Sequence, residues 1–279
     1  MNGFERLPLG ELSQMFGPCR NYDDPMTKIH PLLDGIDAIG ERLRVFPDRH
    51  GLFDQVFERI RMNWVSNRAE ERWPSQSNWV LRVAPAFTQH PTKYLEKQLQ
   101  KNIAVLLEDE GWGNDVPTAS GLANDRGRQM NIDLAHRIPD GFEFIELKLQ
   151  SNAPYEAALQ ILRYGAIYML YRLEPDLTRR FRGNQMMNAK SIVLEVLAPV
   201  HYYSPGDVDL RTLEAQLDRQ VARFAEKNVS GLSISFRFMA FQADFVFRPG
   251  MNPDLICEAV RHRRSPFRHP KEAASKIIA

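Results

Sequence analysis

Residues 139–142, Pro-Asp-Gly-Phe, limit what this chain can fold into more than any other stretch. An Asp-Gly pair between two runs of strand-forming residues signals a two-residue hairpin whose turn residues take left-handed backbone. The flanking runs, 131–138 and 142–149, alternate in the manner of strands. Closing the turn on Pro139 and Phe142 sets a register in which Lys148 faces Asp133 and Glu146 faces Ala135. Opposed residues share a side of a sheet, so Asp133, Glu146 and Lys148 come to one face. The other face collects Ile132, Leu134, Ile145, Leu147 and Leu149, with His136 among them as a core or edge histidine.

Two carboxylates and an ammonium on one small area of sheet require a physical reason. Carboxylates repel unless a cation or a proton stands between them, and burying them without partners is costly. A hard divalent ion such as Mg²⁺ takes one or two carboxylates and completes its shell with water and phosphate oxygens. The ammonium two residues along the same face can hold a water or stabilise developing charge. The arrangement suits metal-assisted hydrolysis of a phosphodiester. The plainer reading is a solvated outer face with one cross-strand ion pair.

The rest of the chain sets this hairpin in a larger pattern. Residues 93–111 read as a helix, with Thr92 as cap, Leu95, Leu99, Ile103, Leu106 and Leu107 as its apolar stripe, and Gly111 as its stop. An extended segment follows near 112–119, then a polar loop over 120–129. Beyond the hairpin come a helix at 154–172 opening on Pro154, a strand at 190–200, an amphipathic helix at 207–228 and a strand at 231–241. This order predicts an α/β (α+β) domain over residues 91–245, a mixed central sheet flanked by helices. Residues 1–90 form a mainly helical N-terminal extension, with an amphipathic helix at 51–67 and a short strand within 77–87. Residues 246–279 read as a basic C-terminal tail.

With these residues in place, the chain resembles the PD-(D/E)xK nuclease superfamily. Asp133 is followed thirteen residues later by Glu146-Leu147-Lys148 on the second strand of the hairpin. Glu96 borders the apolar stripe of the preceding helix, and Gln160 and Tyr164 share a face of the following one. Asn131-Ile132 precede the aspartate where the family name has a proline. The resemblance covers about half of the chain. It implies a restriction-endonuclease-like core and a Mg²⁺- or Mn²⁺-dependent nuclease acting on DNA. It further implies Asp133 and Glu146 as metal ligands, Lys148 as the catalytic lysine, Glu96 as a ligand through water, and Gln160 as an orienting residue. Tyr164, Arg163, Arg126 and Arg128 would then line the substrate path, and the chain could act as a homodimer. A rival expectation keeps this fold without the chemistry: a catalytically inactive nucleic-acid-binding or regulatory module.

Other features narrow the field. A net charge of +1 makes the distribution of charge, not its sum, the relevant quantity. Arginines gather at 179, 180 and 182 and again at 261, 263, 264 and 268, with Lys271, as candidate phosphate contacts. The seven histidines show no ligand pair at helical or strand spacing, which argues against a zinc enzyme. Glycine loops for phosphate and nucleophile elbows are also missing from the sequence. Cys19 and Cys257 stand far apart and read as plain thiols. The sequence has neither an apolar run that would span a membrane nor the basic flank of a signal peptide, so a cytoplasmic location is expected.

Overall fold

The computed structural model describes residues 32, 35, 36, 38, 51–68, 73–84, 94–121, 130–150, 153–204 and 209–267. Five strands form one mixed sheet in sequence order: β1 (Trp112–Pro117), β2 (Asn131–Ile138), β3 (Gly141–Leu147), β4 (Ser191–Ala198) and β5 (Ser233–Ala240). The first three run antiparallel, and β4 and β5 continue parallel to β3. The helices are α1 (Leu52–Arg68), α2 (Tyr94–Leu106), α3 (Pro154–Leu173), α4 (Pro175–Arg180), α5 (Leu210–Asn228) and α6 (Pro253–Arg261). Among the described residues no helix is long and apolar enough to cross a membrane.

Side-chain alternation along the strands divides the core into two layers. Phe142 and Phe144 of β3 join Ile192, Leu194 and Val196 of β4 beneath α1, α3 and α5. Ile145, Leu147 and Leu197 point the other way, onto Leu99, Ile103, Ala104 and Leu107 of α2 and Ile256, Ala259 and Val260 of α6. In α2 the expected stripe is only partly buried, because Leu95 and Leu106 lie on the solvent side of the helix. Gly111 ends that helical region with φ 87°, as a left-handed stop requires. Pro154 opens α3, whose first turn is closed by Glu156 Oε2 accepting from the Ala153 N–H at 3.2 Å. Asp209 caps α5 by accepting from Arg211 and Thr212 N–H.

The hairpin forms, but two residues away from the expected register. Ile138 pairs with Gly141 and Leu134 with Ile145, so Pro139 and Asp140 make the turn. Neither has positive φ. Gly141 serves a different purpose: a Cβ there would lie 1.7 Å from the carbonyl oxygen of Ser191, so glycine permits β4 to approach. A shift of two by itself leaves side chains on their expected faces, since the strand period is two, and it does so along β3 and along β2 as far as Leu134. It does exchange partners, bringing Asp133 across from Glu146 instead of Lys148.

Three further expectations change. Ile132 packs with the α3 layer and Leu134 with the α2 layer, so regular alternation in β2 breaks at Asp133. Residues 77–84 make no strand: a turn at 76–79 leads into a chain that runs beside β1, with Trp79 N–H bonded to Pro117 O and Asn114 N–H to Arg82 O. Residues 246–267, which read as part of a basic tail, fold onto the domain through α6 and through Arg264, which pairs with Ala240. Thr92, Cys19, Arg126, Arg128, Arg268 and Lys271 lie outside the described residues, and Cys257 is a half-buried free thiol.

Candidate active site

The β2–β3 ladder stops at Leu134 and Ile145, one residue before the two acids. Beyond that point the Leu147 N–H finds no strand carbonyl and is accepted by Asp133 Oδ2 at 3.2 Å. The opposite edge of β3 remains engaged, with Lys148 N–H donating to Leu197 O at 2.9 Å. The sheet therefore opens between Asp133 and Glu146 while β3 stays fixed to β4.

Into this opening come side chains from β3 and from both helical layers. Glu146 is 1% exposed, and its Oε1 stands 2.7 Å from Lys148 Nζ. Its other oxygen, Oε2, has no hydrogen-bond donor among the described residues. Burial first, and then the adjacent Asp133 carboxylate within hydrogen-bonding reach, push the Glu146 carboxyl up to about 8 against the pull of Lys148. Two acceptor groups that meet without a donor must share a proton or a cation. For Lys148, burial favours the neutral amine, yet Glu146 and Asp133 outweigh it and hold the pKa above its ordinary value. Lys148 is accordingly an ammonium.

The helices supply the remaining groups. Glu96 of α2 accepts the Leu149 N–H at 2.9 Å and contributes to the field on Lys148. Gln160 lies beside Tyr164 on α3, and Tyr164 is driven well above its usual range by burial, then by Glu146 and Asp133, with Arg163 and Gln160 opposing the rise. Arg163, half-buried, lies close enough to Tyr164 to oppose that rise. Thus Asp133, Glu146, Lys148, Glu96, Gln160, Tyr164 and Arg163 come together at one end of the sheet.

Four residues at this site were not anticipated. Lys97 Nζ stands 2.8 Å from Asp115 Oδ1 and 3.3 Å from Asp133 Oδ1. Gln100, fully buried, donates through Nε2 to the Asp133 carbonyl. Tyr202 follows β4, and burial, then Glu96 and Glu146, raise its hydroxyl. The spacing of Glu96, Lys97 and Gln100 on one helix was a usable signal. Asp115 gave none, since its position depends on a β1–β2 register across a polar loop.

Several of the grouped arginines have partners within the fold. Arg137, near the hairpin turn, donates to Gln185, which places residues 179–185 at the end of the sheet away from the acids. From Phe142, the strand partner of Arg137, to Glu146 that separation is about 13 Å along β3. Within it, Arg179 pairs with Asp176 and Arg180 donates to the Pro74 carbonyl at 3.1 Å. Arg263 is enclosed by Glu143 and Glu195, and Arg261 binds Glu110.

Among the described residues, no group of three or more His, Cys, Asp or Glu side chains is arranged to hold a metal ion. The pair Asp133 and Glu146 nonetheless suits a hard cation that asks for one or two carboxylates, and the donorless Oε2 is an oxygen available to it. No family model, no curated protein and no solved structure matches this chain.

Proposed function

We propose that this chain is a metal-dependent nuclease that hydrolyses phosphodiester bonds in DNA, on a restriction-endonuclease-like core. The observation that carries the reading is the meeting of the Asp133 and Glu146 carboxyls at the end of an interrupted strand ladder, with Lys148 Nζ 2.7 Å from Glu146. The order of helix, three strands, helix and strand over residues 94–198 supports it, being the order of the superfamily that the sequence resembles.

Asp133 and Glu146 would hold Mg²⁺ or Mn²⁺, with Glu96 reaching the ion through water. The ion supplies Lewis-acid stabilisation of charge on the phosphate and a more acidic water. Lys148, as an ammonium, donates hydrogen bonds to the attacking water or to the phosphate oxygens as their charge grows. Gln160 and Tyr164, neighbours on α3, form that helix's wall of the site. Arg163 adds a positive group beside them for the DNA backbone.

One observation favours the rival, an inactive nucleic-acid-binding module: Glu146 and Asp133 each already have a lysine within salt-bridge distance. Cleavage of plasmid and linear DNA with Mg²⁺ or Mn²⁺, wild type against Lys148→Ala, separates the two. The proposal expects metal-dependent cleavage that falls about 100-fold or more in the variant. Metal-independent DNA binding without cleavage establishes the rival, and cleavage unaffected by Lys148→Ala removes the lysine from the mechanism.

A further inference from the structure

Asp133 is shared between two neighbours. On one side it meets Glu146, where Oε2 of a side chain only 1% exposed has no donor among the described residues. On the other side it is joined to Asp115 of β1 by the Lys97 ammonium, at 3.3 Å and 2.8 Å respectively. Asp115 has φ 48°, a left-handed backbone uncommon for a non-glycine residue. The β1–β2 pairing runs through Asn114–Leu134 and Val116–Ile132 and omits the two aspartates between them. The second carboxylate pair is thus a built feature of the strands, and it already contains a cation.

Phosphodiesterases that use two metal ions set them about 3.5–4 Å apart across shared carboxylates. Here the corresponding second position is filled from within the chain. We propose that Lys97 is the resident cation of the Asp115–Asp133 pair, so that the site accepts a single divalent ion, between Asp133 and Glu146. Lys97 is then a positioning residue: it holds Asp133 toward Glu146 and excludes a second ion. The side chains of Lys97, Asp115 and Asp133 are 35%, 24% and 19% exposed, so ions from solvent can reach the pair once the ammonium is removed. This inference rests on the metal-dependent reading above.

The test is a titration of the full chain with Mn²⁺ alone, without DNA, reading bound ions per chain by electron paramagnetic resonance. Wild type should bind about one ion, Lys97→Met about two, and Lys97→Met with Asp115→Asn about one again. Asp115→Asn alone should still bind about one, because Asp115 is not a ligand of that ion. Circular dichroism establishes that each variant is folded. A folded Lys97→Met chain that still binds about one ion, or a wild type that binds about two, overturns the inference and leaves the metal reading intact. Loss of the ion in Asp115→Asn also overturns it, and this arm decides the matter if Lys97→Met does not fold. A wild type that binds no Mn²⁺ overturns the metal reading and this inference together. A lysine that merely braced the fold would lower the melting temperature without changing the ion count.

Discussion

Arg261 and Arg263, two residues apart at the end of α6, should respond to removal in opposite ways. Arg263 reaches beneath the α2 layer, with Nε 3.0 Å from Glu195 Oε1 and Nη2 2.6 Å from Glu143 Oε2. Its guanidinium carbon lies 5.2 Å from the centre of the Trp112 ring. Glu195 is 0% and Glu143 5% exposed. Arg237 is the second cation, bonded to both acids, and His136 lies 2.7 Å from Glu143. Arg263→Met retains the apolar stem and leaves two buried carboxylates with one guanidinium between them. Removing one partner of a buried ion pair costs about 3–5 kcal/mol. At roughly 2–4 °C per kcal/mol for a chain of this size, the melting temperature should drop by about 10 °C. Arg261→Met is the control, since Arg261 and its partner Glu110 are 54% and 45% exposed and solvent screens the pair. Its melting temperature should not move. Circular dichroism melts of the two variants at neutral pH provide the assay, and equal melting temperatures would refute the reasoning. The pH dependence adds a second check. Burial raises the Glu143 carboxyl, but His136, Arg263 and Arg237 outweigh it and leave it below the usual 4.5. Such a group stabilises the fold above 4.5 and loses that contribution as pH falls through its lower folded value, so the gap between wild type and Arg263→Met should narrow in acid.

Two further substitutions probe the sheet and the site. Glu146 is raised from 4.5 to about 8, so without metal its contribution is complete below 4.5 and disappears as pH rises through about 8. Wild type in a chelator should therefore melt progressively lower between those limits, and Glu146→Gln should flatten the dependence; parallel melting curves for the two would show that Glu146 is not the titrating group. Gly141→Ala would force a Cβ against the Ser191 carbonyl at 1.7 Å, where only backbone can give way. Urea denaturation should register a loss of about 1–3 kcal/mol, and an unchanged midpoint would contradict the close β3–β4 approach.

The sequence was legible wherever periodicity alone decides the outcome. The stripe Leu99, Ile103 and Leu107 and the alternation of Phe144, Ile145, Glu146 and Leu147 both appear in the structure as read. The turn was misread because Asp-Gly carries a strong local signal, while the reason for Gly141 is the carbonyl of Ser191, fifty residues away. The error did no harm to the face assignment of β3 because it amounted to one full strand period; Ile132 changed sides for a separate reason, the break in β2 at Asp133. Lys97 and Asp115 escaped notice for the opposite reason. Their meeting depends on how α2 crosses the β1–β2 edge, and neither residue breaks its local pattern. Arg263 shows the limit of composition: it reads as a basic tail residue, yet its partners Glu143 and Glu195 are buried acids on central strands.

Two buried charged clusters among the described residues differ in how their backbones are satisfied. Glu143 and Glu195 lie inside unbroken ladders, at pairs 136–143 and 143–193 for the first and 145–195 for the second, and their two charges are matched by two arginines, with the His136 ring against Glu143. Such a network is saturated and has no oxygen to offer. At the other group the ladder ends, and Asp133 must use Oδ2 to close the Leu147 N–H that a continuing strand would have bonded. Its Oδ1 goes to Lys97, so both oxygens of the side chain are engaged, and Gln100 holds its main-chain carbonyl, before Glu146 is considered. Glu146 then faces a carboxyl that cannot turn away, and its own Oε2 is left without a donor. An acid held in place against another acid, at a break in the sheet, is costly to fold and of little structural use. That asymmetry between a saturated and an unsaturated ionic cluster within one sheet is the physical reason for proposing chemistry at Asp133 and Glu146 and a structural role for Glu143 and Glu195.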